Sequence, residues 1–123
     1  PRGCILYTGH RRARGTCRPA PKARGAGFFG ARSIAIAPDG RTALAGFDRS
    51  SAILLLRRDP ASGALTPIAG PGGCVKDAGR HVRVPRGCAD GRGIFQPDDI
   101  AISADGRNAY VTTVGGLSIF ALS

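Results

Sequence analysis

With 123 residues the chain has the length of a single domain, and its 42% hydrophobic content rests on Ala, Ile, Leu and Val, with five Phe, two Tyr and no Trp or Met; any core it builds is aliphatic. No run of about 18 apolar residues occurs, which excludes a membrane-spanning helix. The net charge of +10 comes almost wholly from Arg, set against eight acidic residues that are all Asp; an Arg bias beside abundant Ala and Gly is also the product of GC-rich coding, so charge alone does not mark a nucleic-acid binder.

In chain order, residues 1–31 read as a long cysteine-containing loop at the end of a preceding repeat. The chain begins at Pro1 without Met, so it is expected to be processed or cut from something longer. From residue 32 the pattern changes. Ile34 and Ile36 alternate with Ala35 and Ala37, Asp39-Gly40 supplies the positive φ of a two-residue hairpin, and Thr42 to Phe47 returns as the partner strand. Ala52 to Leu56 is a continuous apolar run suited to a strand covered on both faces, although periodicity leaves a buried helical turn open. DPASG makes a second hairpin loop, and Ala64 to Ala69 is the outer strand, with Pro67 tolerable only at an edge. Residues 32–70 thus make four antiparallel strands in sequence. Residues 71–98 form another cysteine-containing loop, and residues 99–123 supply three further strands, the last from Leu117 to Leu122.

The chain repeats itself. SIAIAPDGRTALAGF from Ser33 returns as DIAISADGRNAYVTT from Asp99, sharing Ile34/Ile100, Ala35/Ala101, Ile36/Ile102, Asp39/Asp105, Gly40/Gly106, Arg41/Arg107 and Ala43/Ala109. The preceding loops match as well: Cys4, His10, Arg12 and Cys17 reappear as Cys74, His81, Arg83 and Cys88. Four cysteines allow three connectivities, and the repeat singles out the local one, Cys4 with Cys17 and Cys74 with Cys88. Such pairs imply an oxidising compartment. A zinc reading of the two Cys/His loops lacks a Cys-x-x-Cys pair and a fourth ligand in each loop, so no metal and no cofactor is called for.

The stretch from Arg2 to Arg32 contains no acidic residue, and Arg11, Arg12 and Arg14 are its candidate anion contacts. The stretch reads either as the contact for an anionic partner (nucleic acid, an acidic glycan or a phospholipid head group) or as a solvated loop, and the solvated loop is favoured because no aromatic side chains interleave with these arginines to stack on bases. Asp39, Asp59, Asp90 and Asp105 read as turn residues. Asp98 and Asp99 precede an inner strand and are the candidate polar residues of a channel mouth.

The segments APDGRTALAG, ADGRNAYVTT, RRDPASGALTPIAG and GGCV…GCADGRG resemble the repeats of bacterial YVTN-type β-propellers and the lactonase-like propeller family. Tyr110-Val111-Thr112-Thr113 resembles the YVTN signature and departs from it at the last position. The resemblance implies an all-β fold, a partial β-propeller of antiparallel four-stranded blades with long disulfide-bearing loops. One blade alone leaves two faces and its strand edges uncovered, so the remaining blades of a longer parent chain are the expected partners. For the lactonases it implies ring opening of a lactone by polar residues converging from several blades, but no catalytic motif matches here residue by residue, and catalytic residues stay unassigned. The expected role is a non-catalytic scaffold, exported or at the cell surface, that binds a protein or glycan; the alternative is a fragment of a lactone hydrolase.

Overall fold

The computed structural model describes residues 5–6, 18–19, 28–79 and 87–122. Its strands are β1 (Ile5–Leu6), β2 (Arg18–Pro19), β3 (Ala31–Ile36), β4 (Thr42–Phe47), β5 (Ala52–Arg58), β6 (Leu65–Pro67), β7 (Cys74–Asp77), β8 (Ala89–Gly91), β9 (Pro97–Ile102), β10 (Asn108–Thr113) and β11 (Gly116–Ala121). Apart from a 3-10 turn at Pro71–Gly73, the described residues are all-β, and none forms a helix long and apolar enough to cross a membrane. β1 and β2 pair in parallel. The other strands form two sheets: a larger one ordered β3-β4-β5-β7-β8, with β6 also on β5, and a three-stranded one ordered β9-β10-β11.

The two copies of the repeated segment build the same hairpin. In the first, Gly40 N–H donates to the Ala37 carbonyl at 2.9 Å and Ala37 N–H to the Thr42 carbonyl at 2.8 Å. In the second, Gly106 N–H donates to Ser103 at 2.8 Å and Ser103 N–H to Asn108 at 2.9 Å. The loop is therefore four residues long rather than the expected two. Pro38 presets the first central position of a β-turn, Asp39 takes the second, and Gly40 (φ 68°) and Gly106 (φ 72°) adopt the left-handed conformation that follows it. The aspartates work as the sequence suggests: Asp39 Oδ1 accepts the amides of Arg41 at 2.8 Å and Thr42 at 3.2 Å, and Asp105 Oδ1 accepts Arg107 N–H at 3.0 Å and the Ser103 hydroxyl at 2.6 Å.

The outer edge departs from the single strand expected over Ala64 to Ala69. β6 covers only Leu56 to Arg58 of β5. After the turn at Pro71–Gly73, β7 resumes on the same edge opposite Ala52 to Leu54. Ile68 N–H still donates to the Leu55 carbonyl at 3.3 Å, Pro67 sitting where its missing N–H faces away from β5, and Gly70 (φ 81°) then lifts the chain off the edge before it returns. β8 then adds in parallel, Val75 opposite Ala89 and Asp77 opposite Gly91. Asp90 consequently lies in a strand and not in the expected Asp-Gly turn.

The sheets pack face to face through Leu44 and Ile53 of the larger and Ile100, Ala109 and Val111 of the smaller, all buried together with Ile94. Gly46 permits this approach: a Cβ there would lie 2.9 Å from Ser33 Oγ and 3.4 Å from Ile100 Cδ1. On the other face of the larger sheet Ala43, Ala45, Phe47, Ala52, Leu54 and Leu56 are buried with Phe28 and Cys74, and the Phe28 and Phe47 rings lie 5.1 Å apart. β5 is thus buried on both faces, as its uninterrupted apolar run predicts.

Two turn carboxylates link this geometry to pH. Asp59 is held below the usual carboxylate range by the Ala61 amide and then by Ser62, and Asp105 by the Ser103 hydroxyl and then the Arg107 amide. Their folded-state pKa values lie below the unfolded ones, so the unfolded chain binds more protons in the intervening window. The stability they contribute is complete above the ordinary carboxylate pKa and is lost as pH falls through the lowered values. The urea midpoint is expected to drop between about pH 4 and pH 2, and to drop less in a D59N/D105N double variant.

Candidate functional site

The end of the sheets where β3 and β9 begin gathers the polar residues that the sequence places near a channel mouth. Asp98 accepts a hydrogen bond from Arg32 Nε at 2.8 Å, and Arg32 Nη1 stands 3.8 Å from Asp48. The Asp98 hydrogen bond, followed by the nearby charges of Asp98 and Asp48, raises the pKa of the Arg32 guanidinium. The pair bridges the innermost strands of the two sheets, and both side chains remain more than half exposed. Asp99 is spent locally: its Oδ1 accepts the Ile100 amide at 2.9 Å, and its own N–H donates to Thr112 Oγ1 at 3.0 Å. The structure therefore gives the two adjacent aspartates different duties. Asp98 ties the sheets together, and Asp99 caps its own strand pair.

Behind this end lies a tightly held loop. Ser51 (φ 46°) and Gln96 (φ 49°) both occupy the left-handed region that side chains disfavour. They are joined, since Gln96 N–H donates to Ser51 Oγ at 3.2 Å. The buried Asp77 carboxylate accepts the amides of Gly79 and Ile94, each at 3.1 Å, and Asp77 N–H donates to the Ser51 carbonyl at 2.8 Å. These bonds fix Ile94 between the sheets. Ser51 Oγ and the Asp77 carboxylate accept from backbone amides, which holds this end rigid.

Cys74 and Cys88 form a disulfide with their Cα atoms 4.8 Å apart, as the repeat suggested. It closes the long loop at its base, where β7 and β8 pair and Lys76 Nζ meets the Asp90 carboxylate. Cys74 belongs to the buried cluster on the outer side of the larger sheet, with Cys88 packed against it. Cys4, Cys17, His10, Arg11, Arg12, Arg14, His81 and Arg83 lie outside the described residues. Among the described residues no three His, Cys, Asp or Glu side chains gather as a metal site would require.

A different feature occupies the opposite end of the larger sheet, and the sequence reading passed over it. The β3–β4 and β5–β6 loops lie side by side around a cleft of about 620 Å³ lined by Arg41, Thr42, Arg57, Arg58, Asp59, Pro60, Thr66 and Ile68. Arg58 Nη1 donates to the Gly40 carbonyl at 2.9 Å and so bridges the two loops. The adjacent Arg57-Arg58 in β5, one turn of chain from PDGR, is the signal that could have marked it; only strand register brings them together.

No protein-family model matches the chain, and no curated protein matches it. Solved structures do. The chain is similar to the crystal structure of a protein from Lactobacillus plantarum, with a TM-score of 0.58 and 28% identity over 79% of this chain and 25% of that one. It is also similar to a functionally unknown protein from Desulfotomaculum acetoxidans DSM 771, with a TM-score of 0.52 and 18% identity over 76% of this chain and 23% of the other. The chain spans about a quarter of the length of each of these structures.

The disulfide has a testable energetic role. It closes a loop over a sequence separation of 14 residues, for which restriction of the unfolded chain contributes about 3 kcal/mol. A C74A/C88A double variant is expected to unfold at lower urea, with a loss of about 2–4 kcal/mol.

Proposed function

We propose that this chain is a stretch of β-propeller blades from an exported repeat scaffold that works by binding rather than by catalysis. The observation that carries the reading is how the two sheets stack. The larger sheet presents Ala35, Leu44, Ile53 and Leu55, and the smaller receives them on Ile100, Ile102, Ala109 and Val111. The contact is head to tail, because opposite faces of equivalent sheets meet.

Register identifies what remains unmet. Leu44 pairs with Leu55 and Gly46 with Ile53 in the larger sheet, while Tyr110 pairs with Ile119 and Thr112 with Leu117 in the smaller. Tyr110, Ile119 and Leu117 are therefore the smaller sheet's counterparts of Leu44, Leu55 and Ile53. They are 38%, 62% and 62% exposed. At the other end Ile34 and Ile36, the counterparts of Ile100 and Ile102, are 55% and 52% exposed. The smaller sheet's open face and the exposed Ile34/Ile36 strip of the larger one are counterparts of the surfaces joined in the middle, Ala43 and Ala45 being covered by the Phe28 cluster, and this supports a repeating stack. Blades arranged in this way supply rigid ends from which loops reach a partner. The two larger structures of similar fold leave length for several such sheets, and the Cys74–Cys88 disulfide supports an oxidising, exported setting.

The stacking reading is tested by light scattering across a concentration series. The 123-residue chain is expected to self-associate, and Leu117→Lys with Ile119→Lys is expected to suppress that association while leaving the β-sheet circular-dichroism spectrum intact. A monodisperse, cooperatively melting monomer at all concentrations would contradict it.

A further inference from the structure

We propose that the arginine cleft between the β3–β4 and β5–β6 loops binds an acidic polysaccharide through its carboxylate or sulfate groups; the inference rests on the reading of the chain as a binding scaffold and names the chemistry of its partner. Arg41, Arg57 and Arg58 line the cleft with one acidic residue, Asp59; the Asp39 carboxylate of the β3–β4 loop lies beside it, accepting from the Arg41 amide and the Thr42 hydroxyl, so the arginines outnumber the nearby carboxylates by one. The Asp59 carboxylate is committed to its own loop, accepting the Ala61 amide at 2.9 Å. Among the described residues Arg41 and Arg57 make no ion pair. Two planar, permanently charged forks in the lining suit oxyanions, which such groups bind in bidentate fashion.

The surroundings narrow the class of ligand. Arg57 is flanked in register by Thr42 on β4 and Thr66 on β6; the Thr42 hydroxyl donates to Asp39, and Thr66 adds a second hydroxyl to the lining. Pro60 and Ile68 add apolar wall. Charged forks, hydroxyls and a small apolar surface match the acid groups, hydroxyls and C–H faces of uronic or sulfated sugars. The cleft, about 620 Å³, falls within the usual range of about 300–1,000 Å³ for ligand pockets. No aromatic ring lines it, and base stacking is what single-stranded nucleic acid would require.

Two of the three arginines are not demanded by the repeat, whereas Arg41 is retained in the second copy as Arg107. Arg57 stands opposite Thr42 in the first copy, and the equivalent position opposite Asn108 in the second is Ala121. Arg58 is correspondingly replaced by Leu122. The second sheet forms without counterparts of Arg57 and Arg58. The cleft also lies at the opposite end of its sheet from Asp48 and Asp98, so among the described residues only Asp39 and Asp59 offset its three arginines.

The test uses the 123-residue chain with three probes: a heparin oligosaccharide, an oligogalacturonate and a DNA duplex of matched charge. Phenylglyoxal labelling read by mass spectrometry is expected to show Arg41 and Arg57 protected by at least one glycan, and R41A/R57A is expected to weaken that glycan at least tenfold. Protection by heparin alone assigns sulfate as the recognised group, and protection by galacturonate assigns carboxylate. Protection confined to Arg11, Arg12 and Arg14, an affinity unchanged in R41A/R57A, or DNA bound as tightly as either glycan would overturn the proposal. The labelling is read on the unaltered chain, so it decides even if the variant fails to fold. Self-association does not involve these arginines, so a failure here leaves the stacking reading standing.

Discussion

Leu44 and Ile53 meeting Ile100, Ala109 and Val111 across the two sheets is the contact on which the rest of the structure depends. Each sheet is thin, and its aliphatic side chains are too few to bury themselves on one sheet alone. Several local features serve that contact. Gly46 removes the side chain that would hold the sheets apart, and Ile94 fills the space between them, anchored by the Asp77 carboxylate. Arg32 and Asp98 then join the innermost strands at one end. Such an exposed ion pair contributes less than about 1 kcal/mol, so its value lies in alignment more than in strength.

The parts legible in the sequence are those decided within a few residues. The hairpins at Asp39-Gly40 and Asp105-Gly106 announce themselves because a carboxylate binding its own backbone and a glycine free to take positive φ are local properties. The double burial of β5 was legible in its uninterrupted apolar run, although that run left a buried helical turn open. The split outer edge was not, because β7 returns to β5 only by register with Ala52 to Leu54, and β8 depends on a parallel pairing beside the disulfide. Asp98 was identified as a polar residue of interest, yet its partner Arg32 lies 66 residues earlier, beyond any local pattern. The arginine cleft is hidden for the same reason: the basic residues dense in sequence are Arg11, Arg12 and Arg14, whereas Arg41 and Arg57 are scattered along the chain and are brought to one cleft only by strand register.

The two ends of the larger sheet differ in chemistry. At one, carboxylates and hydroxyls are consumed by backbone amides and by Arg32, giving a rigid platform with two left-handed residues held in place. At the other, positive charge exceeds negative, and the loops are pinned to each other by Arg58 and Gly40. A stack of sheets built on one repeating contact would keep these ends on opposite sides, so that rigidity and recognition are separated in space. The apolar faces would then lie between sheets, away from both.

The measurement that bears most directly on this account is site-specific photo-cross-linking with a photoreactive amino acid in place of Leu117, followed by mass-spectrometric mapping. Head-to-tail stacking predicts cross-links from this position to the face of another sheet that carries Ile34 and Ile36, or to its equivalent in a neighbouring repeat. Cross-links to a second Tyr110 and Ile119 face would mean that like surfaces pair with like, and the repeating stack would have to be abandoned.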